Sequence, residues 1–221
     1  MRTAIRAVIF DFGGVLGLPQ DSARVATMAS LCGLSTEKFQ IVYGRDRSEL
    51  DRGTLSAEEY WRRVLEIGGI AADPDLIARI DREDSLGWTR INQVVVHWGA
   101  ELRAAGYRTA ILSNMPSAKL SFMRASGSFG WINDFQPAIF SCEYHLVKPE
   151  PEIYRLCLEK LAVDPEGCIF LDDVPRNVEA ARALGIHALH FRSAAAEAAE
   201  LELRWELPVS SLRNGSQGGR G

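Results

Sequence analysis

No two of the four cysteines in this 221-residue chain, Cys32, Cys142, Cys157 and Cys168, take the C-x-x-C spacing. That argues against a disulfide framework or a zinc site. Cys157 and Cys168 sit inside apolar runs, as small buried hydrophobes do, so all four read as free thiols of a reducing compartment. Long apolar runs are missing too: nothing approaches the ~20 residues needed to span a bilayer. The opening Met-Arg-Thr-Ala-Ile-Arg lacks the apolar stretch of a signal peptide. Both features lead us to expect a cytoplasmic protein with no membrane partner. A net charge of −4 offers no basic excess for nucleic acid. Lysine is scarce, with only Lys38, Lys119, Lys148 and Lys160, and arginine carries the other positive charges. A lysine beside a motif is therefore more informative here than usual. No internal repeat is visible.

What is present is alternation. Ala7-Val8-Ile9-Phe10 is a continuous apolar run of the kind buried on both faces of a sheet, and it ends in Asp11-Phe12-Gly13-Gly14. From about Ser22 to Arg82 the texture is helical, Arg-rich and broken by glycines, with no strand of the first kind. Strands and helices then alternate: a helix from Asn92 to Ala105, a strand at Arg108–Leu112, a helix from Pro116, a short strand at Ala138–Phe140, a helix over Pro151–Leu161, a strand at Cys168–Leu171, a helix over Pro175–Leu184 and a last strand at His187–Phe191. This spacing predicts an α/β fold, an open parallel sheet wrapped on both faces, with a helical insert after the first strand. We expect a core of residues 1–18 and 86–210, an insert of 19–85, and a disordered tail over 211–221, Gly-rich and polar from Asn214.

The informative residues follow the strands. Asp11 follows the first and Ser113-Asn114 closes the second. Lys148-Pro149 comes shortly after the strand at Ala138, and Asp172-Asp173 follows the strand at Cys168. The carboxyl ends of parallel strands share one edge, where ligands bind. The set has a chemical logic. A carboxylate can attack phosphorus and form an aspartyl-phosphate that water then cleaves. Mg2+ held by carboxylates offsets the repulsion between anions, and a lysine adds compact positive charge. Each residue also has a plainer reading: Asp11 could close a turn, and Ser113-Asn114 or Asp172-Asp173 could cap the helices that follow.

Val8–Leu16, Ile111–Asn114, Lys148–Pro151 and Phe170–Ala181 resemble, in order and spacing, the four motifs of the haloacid dehalogenase superfamily. The wording is most similar to sugar-phosphate phosphatases and to the N-terminal phosphatase domain of soluble epoxide hydrolases. The resemblance implies a Rossmann-like core and a helical cap of the C1 type. It implies Asp11 as nucleophile, Lys148 as charge stabiliser, and Ser113, Asn114 and Lys148 around the phosphate. It implies a Mg2+ held by Asp11, Asp173 and the carbonyl of Gly13, with Asp172 supporting from behind or through water. The implied activity is a Mg-dependent phosphatase acting on a small phosphorylated metabolite, as a monomer or homodimer.

One departure stands out. Phosphatases of this family usually carry a second Asp two residues after the nucleophile, serving as general acid and then base; Gly13 stands there. Metal-bound water or a residue of the insert could supply the proton instead, or the leaving group could need little protonation. Two rivals stay open: a metal-independent 2-haloacid dehalogenase, in which Asp11 attacks carbon, and a non-catalytic binder of phosphorylated ligands. A phosphonatase is disfavoured, because the insert offers only Lys38. Within the insert, Tyr43, Arg45 and Arg47 are the candidate substrate readers, against the alternative that residues 45–52 form a solvated helix face. Asn177 either orients Asp173 or the metal water, or faces solvent. His145 reads as a structural loop residue.

Overall fold

The computed structural model describes residues 4–214. Its strands are β1 (Ala7–Phe10), β2 (Arg108–Ser113), β3 (Ala138–Phe140), β4 (Cys168–Asp172) and β5 (His187–His190). They form one parallel sheet in the order β3-β2-β1-β4-β5, as the alternation predicts. The central strand is β1, with Phe10 level with both Ile111 and Leu171. The next step along each strand therefore brings Asp11 level with Asp172 at the carboxyl edge.

Between β1 and β2 the chain runs through α1 (Ser22–Leu31), α2 (Thr36–Gly44), α3 (Arg47–Arg52), α4 (Ala57–Ile67), α5 (Pro74–Leu86) and α6 (Gln93–Ala104). Beyond β2 come α7 (Ser117–Ala125), α8 (Ser141–Tyr144), α9 (Pro151–Leu161), α10 (Pro175–Ala183), α11 (Ala194–Trp205) and α12 (Ser210–Asn214). The period-two alternation of β1 feeds two cores. Val8 and Phe10 pack with Trp98 and Leu102 of α6, Met123 of α7 and Leu201 of α11. Ala7 and Ile9 pack with Ile153 and Cys157 of α9 and with Val178 of α10. Phe10 meets Trp98 edge to face at 5.4 Å between centroids, and the Trp98 Nε1–H donates to the Pro208 carbonyl at 2.6 Å. Truncating Phe10 to Ala would cost about 3–5 kcal/mol, the usual penalty for a large aromatic removed from a packed core.

The inserted helices α1–α5 bury a third cluster of their own, around Met28, Phe39, Trp61 and Ile80. Their ends are written in the sequence: Ser56 and Glu59 form a reciprocal capping box on α4, and the Asp73 carboxylate caps α5 ahead of Pro74. The outgoing and returning links lie side by side. Leu18 N–H donates to Arg90 O at 2.8 Å, and Asn92 N–H donates to Leu16 O at 2.9 Å. The insert docks on the segment that carries Lys148. Arg52 donates to Glu150 Oε2 at 2.9 Å and to the His145 carbonyl at 3.0 Å, and the Ser141 hydroxyl donates to the Asp51 carbonyl. His145 Nδ1 lies 3.1 Å from the Arg52 carbonyl oxygen, which fits its reading as a structural residue.

Two features differ from expectation. The alanine-rich α11 had no counterpart in the strand–helix count. The tail also starts later than residue 211: α12 runs through Asn214, and Leu212 is fully buried against the β1–α6 side of the core. The Glu101 carboxylate adds to this anchor, accepting from Ser210 N–H at 3.0 Å and from Ser211 N–H at 2.8 Å. The rest of the expected tail, residues 215–221, lies outside the described residues. All four cysteines are free thiols, as the spacing implied.

Candidate active site

At the carboxyl edge of β1 the chain turns sharply over Phe12–Leu16. Phe12 N–H donates back to Asp11 Oδ1 at 2.6 Å, and Gly17 N–H donates to Phe12 O at 2.6 Å. Gly14 is required in this turn: its φ is +71°, and a Cβ there would lie 2.3 Å from the Asp173 carboxylate. Asp11 is 7% exposed and Lys148 only 2%. Lys148 Nζ donates to Asp11 Oδ1 at 2.9 Å and to Asp172 Oδ2 at 2.6 Å, so one ammonium bridges two carboxylates. Asp172, at the end of β4, is saturated. Its Oδ1 accepts from Val174 N–H at 2.8 Å, and the Asn177 amide reaches both oxygens at 3.0 and 3.1 Å. Asn177 is thus settled as a brace for Asp172 rather than a solvent-facing residue. Its own Oδ1 is buried without a hydrogen-bond partner among the described residues.

One oxygen of each of Asp11, Asp172 and Asp173 lies within 4.8 Å of the others. Charge is out of balance there, with three carboxylates against one lysine. Burial, ahead of repulsion from Asp172 and Asp173, pushes the Asp11 carboxyl up to about 7 even though Lys148 pulls it down. Desolvation and Asp172 likewise raise Asp173. Burial works against the Lys148 charge, but Asp11 and Asp172 outweigh it and hold the proton on. A hard divalent cation would relieve this excess of negative charge, so the residues fit the metal that the motifs imply. Asp11 and Asp173 have oxygens to offer, and Asp172 is better placed to support them.

These groups open into a cleft of about 270 Å³ whose lining includes Asp11, Gly13, Ser113, Asn114, Lys148 and Asp173. The structure therefore brings together residues that were far apart in sequence. Asn114 has a duty the sequence did not suggest. Its Nδ2 donates to the Lys148 carbonyl at 2.9 Å and its Oδ1 accepts from Lys148 N–H at 2.8 Å, pinning the lysine's backbone.

The far wall comes from the insert. Tyr43 and Arg47 line the cleft. Arg45 does not: it lies in the extended break between α2 and α3 and is exposed, and so drops out as a substrate reader. Tyr43 and Arg47 are largely spoken for. The Tyr43 hydroxyl donates to Asp84 Oδ1 at 2.6 Å, and Arg47 donates to Tyr43 Oη, Asp51 and Asp84 at 2.6, 3.2 and 3.3 Å. Gln20 Nε2 adds donations to Tyr43 Oη and Asp84 Oδ1. Burial raises the Tyr43 hydroxyl well above its usual range, while Asp84 is held below the ordinary carboxylate range because Arg47 and Lys119 outweigh its burial.

Sequence reasoning missed three residues here: Asp84, Trp88 and Lys119. Asp84 hides in the charged stretch Asp81-Arg82-Glu83-Asp84, and Lys119 looks like any polar position on a helix. The scarcity of lysine was the one available signal for Lys119. In the structure Lys119 is 6% exposed and lines the cleft, with Nζ 4.4 Å from the Trp88 ring centroid.

Residues 5–185 match the haloacid dehalogenase-like hydrolase family. Among curated proteins, the chain is 28% identical over 214 residues to bifunctional epoxide hydrolase 2 of Sus scrofa, covering 90% of this chain and 38% of that protein. It is 34% identical over 215 residues to acyl-CoA dehydrogenase family member 10 of Mus musculus, covering 92% of this chain and 19% of that protein. The chain thus spans well under half the length of both. The sesquiterpene phosphatase astK of Aspergillus oryzae is 27% identical over 202 residues, with 91% of this chain and 97% of that protein covered. Among solved structures, a HAD family enzyme of Bacteroides thetaiotaomicron in complex with magnesium and inorganic phosphate superposes with a TM-score of 0.68 at 24% identity, covering 86% of this chain and 95% of that one. The L-2-haloacid dehalogenase of Xanthobacter autotrophicus with chloropropionic acid covalently bound superposes at 0.63 and 21% identity, covering 95% and 87%. At these identities the two structures establish the shared fold alone.

Proposed function

The chain belongs to the haloacid dehalogenase-like hydrolases, and on that premise we propose that it is a phosphatase, cleaving small phosphomonoesters of the sugar-phosphate kind by attack of Asp11 on phosphorus. The observation that carries this reading is the charge imbalance: three convergent carboxylates with a single buried lysine between them. Such a site suits a divalent cation and a phosphoryl group arriving together. Mg2+, when bound by Asp11, Asp173 and the Gly13 carbonyl, supplies charge neutralisation and alignment for in-line displacement.

The chain's own residues do the rest. Phe12 N–H and Lys148 hold Asp11 Oδ1, which leaves Oδ2 as the attacking atom. Lys148 uses two of its three N–H bonds on Asp11 and Asp172 and has one for a phosphoryl oxygen. The Ser113 hydroxyl takes another phosphoryl oxygen, and Asn114 fixes Lys148 from behind. Most of the rate enhancement then comes from positioning and electrostatics. The insert, acting as a cap, excludes water from the closed cleft. The phosphatase named among the curated relatives supports this choice of chemistry.

Gly13 favours a second reading, haloacid dehalogenation, because a departing halide needs no proton. One experiment separates the two: release of phosphate from a panel of sugar and aryl phosphates, and of halide from 2-chloropropionate, each with Mg2+ and with EDTA, beside an Asp11→Asn control. The phosphatase reading expects EDTA-sensitive phosphate release that Asp11→Asn abolishes. Halide release indifferent to EDTA, with no phosphate released, would overturn it. Inactivity toward every compound would favour a non-catalytic binder.

A further inference from the structure

If the reaction is the phosphatase step proposed above, the departing oxygen needs a proton that residue 13 cannot give, and we propose that Lys119 is the general acid that gives it. The room an acid at position 13 would use is already filled. A Cβ built on Gly13 would meet the Trp88 ring at 3.0 Å. Lys119 Nζ lies over that same ring, 4.4 Å from its centroid. The ring thus stands where the usual carboxyl would be, with a proton donor on its face.

Lys119 is buried, opens into the same cleft as Asp11, Ser113 and Lys148, and makes no hydrogen bond or ion pair among the described residues. Its N–H bonds are therefore uncommitted. The other proton carriers of the cleft are not. The Tyr43 hydroxyl is given to Asp84. Arg47 and Arg176 keep their protons at any working pH. Lys148 is bound between Asp11 and Asp172.

The charged groups facing Lys119 are Arg47 and Asp51 of α3 and Asp81 and Asp84 of α5. Burial first, then Arg47, brings its ammonium down to about 8, against the opposing pull of the three carboxylates. At neutral pH it is protonated, yet it releases its proton more readily than an ordinary lysine.

The step balances. As Asp11 forms its bond to phosphorus, the ester P–O bond breaks. The departing oxygen's electron pair takes a proton from Lys119 Nζ, and the alcohol leaves. Lys119, now a neutral amine, takes a proton from the water that attacks the aspartyl-phosphate. The Asp11 carboxylate and inorganic phosphate are released, and the ammonium is restored.

The test compares kcat/KM, which reports through the first irreversible step, for an alkyl or sugar phosphate and for p-nitrophenyl phosphate, whose leaving group is acidic. In the full chain with Mg2+, Lys119→Met is expected to lose about 100-fold or more on the alkyl ester, the lower end of what general acid catalysis supplies. It should lose no more than a few-fold on the aryl ester. Lys119→Arg, which keeps the charge but not the transferable proton, should match the Met variant. Equal losses on both esters, no loss on the alkyl ester, or rescue by Arg would overturn the proposal in favour of a structural or merely electrostatic role. Should the variants fold poorly, the wild-type pH profile decides. A falling limb near pH 8 is expected for the alkyl ester and not for the aryl ester, and identical profiles would overturn the assignment. A wild type inert toward both esters, like Asp11→Asn, would refute the phosphatase reading itself and this proposal with it.

Discussion

The two walls of the cleft handle charge in opposite ways. On the sheet-edge wall, Asp11, Asp172 and Asp173 converge on Lys148, and burial leaves Asp11 raised to about 7. On the inserted wall, Arg47 is matched by Asp51 and Asp84, with Tyr43 and Gln20 completing the network, and Asp84 stays comfortably ionised. The first wall carries an excess of negative charge, which the cation and phosphoryl group proposed above would offset. The second comes into balance with Lys119 of α7, two cations facing two carboxylates, and holds a shape. The difference teaches how the two walls divide the work on the reading proposed above: reaction at the sheet edge and shape at the insert, with Lys119 facing the insert from the core side.

The sharpest way to break this contrast is to remove one member of each wall. Asp11→Asn deletes the charge of the proposed nucleophile and is expected to lower kcat by about 10³-fold or more with the fold intact, a loss on the scale seen when a catalytic nucleophile is removed. Steady-state kinetics beside circular dichroism reads both. Lys148→Met strands two buried carboxylates. In metal-free protein it should cost about 3–5 kcal/mol in urea unfolding, the penalty for orphaning a buried charge, and saturating Mg2+ should recover part of it. Arg47→Met breaks the insert's network, but Arg47 keeps some contact with solvent. A loss of about 2 kcal/mol is expected there, with no recovery by Mg2+. That difference in metal response is the contrast in measurable form.

Lys119 gives a subtler signature. Its pKa is lowered in the fold, to about 8 from the ordinary 10.5. Between these values the unfolded chain binds more protons than the native one, so stability from this group rises as pH climbs from about 8 toward 10.5. Below pH 8 the full cost of the buried charge is present. Lys119→Met should flatten that slope and be the more stable form at pH 7, as urea midpoints across the range would show. The smallest effect belongs to the docking pair Arg52–Glu150. Both partners are partly solvent-exposed, so Glu150→Gln should change stability by about 1 kcal/mol or less.

Much of this was legible in the chain because strand-end residues keep their meaning wherever the strand goes. A buried parallel strand followed by Asp, another by Ser-Asn and a third by Asp-Asp must share an edge, and Phe10 level with Leu171 brings Asp11 beside Asp172. Residues on helices were less legible, because a helix does not declare which polar position faces a cleft. Arg45 and Arg47 looked equivalent in sequence, yet the break between α2 and α3 leaves Arg45 in solvent and turns Arg47 inward. Lys119 and Trp88 are 31 residues apart and carry no shared motif. Their contact depends on how the insert folds back over α7. Asn114 reads as a phosphate ligand by its position, while its brace on Lys148 depends on a loop 34 residues later. Leu212 was lost in a polar tail because one apolar residue is too weak a signal to mark a helix.

The central claim, that Asp11 takes the phosphoryl group, is tested most directly by acid-quenching the enzyme during turnover of a radiolabelled phosphomonoester with Mg2+ and mapping any covalent label. The account predicts a hydroxylamine-labile label on the peptide containing Asp11, absent in Asp11→Asn and after EDTA. Substrate consumed with no label on that peptide in rapid-quench samples, or label that persists in Asp11→Asn, would contradict it.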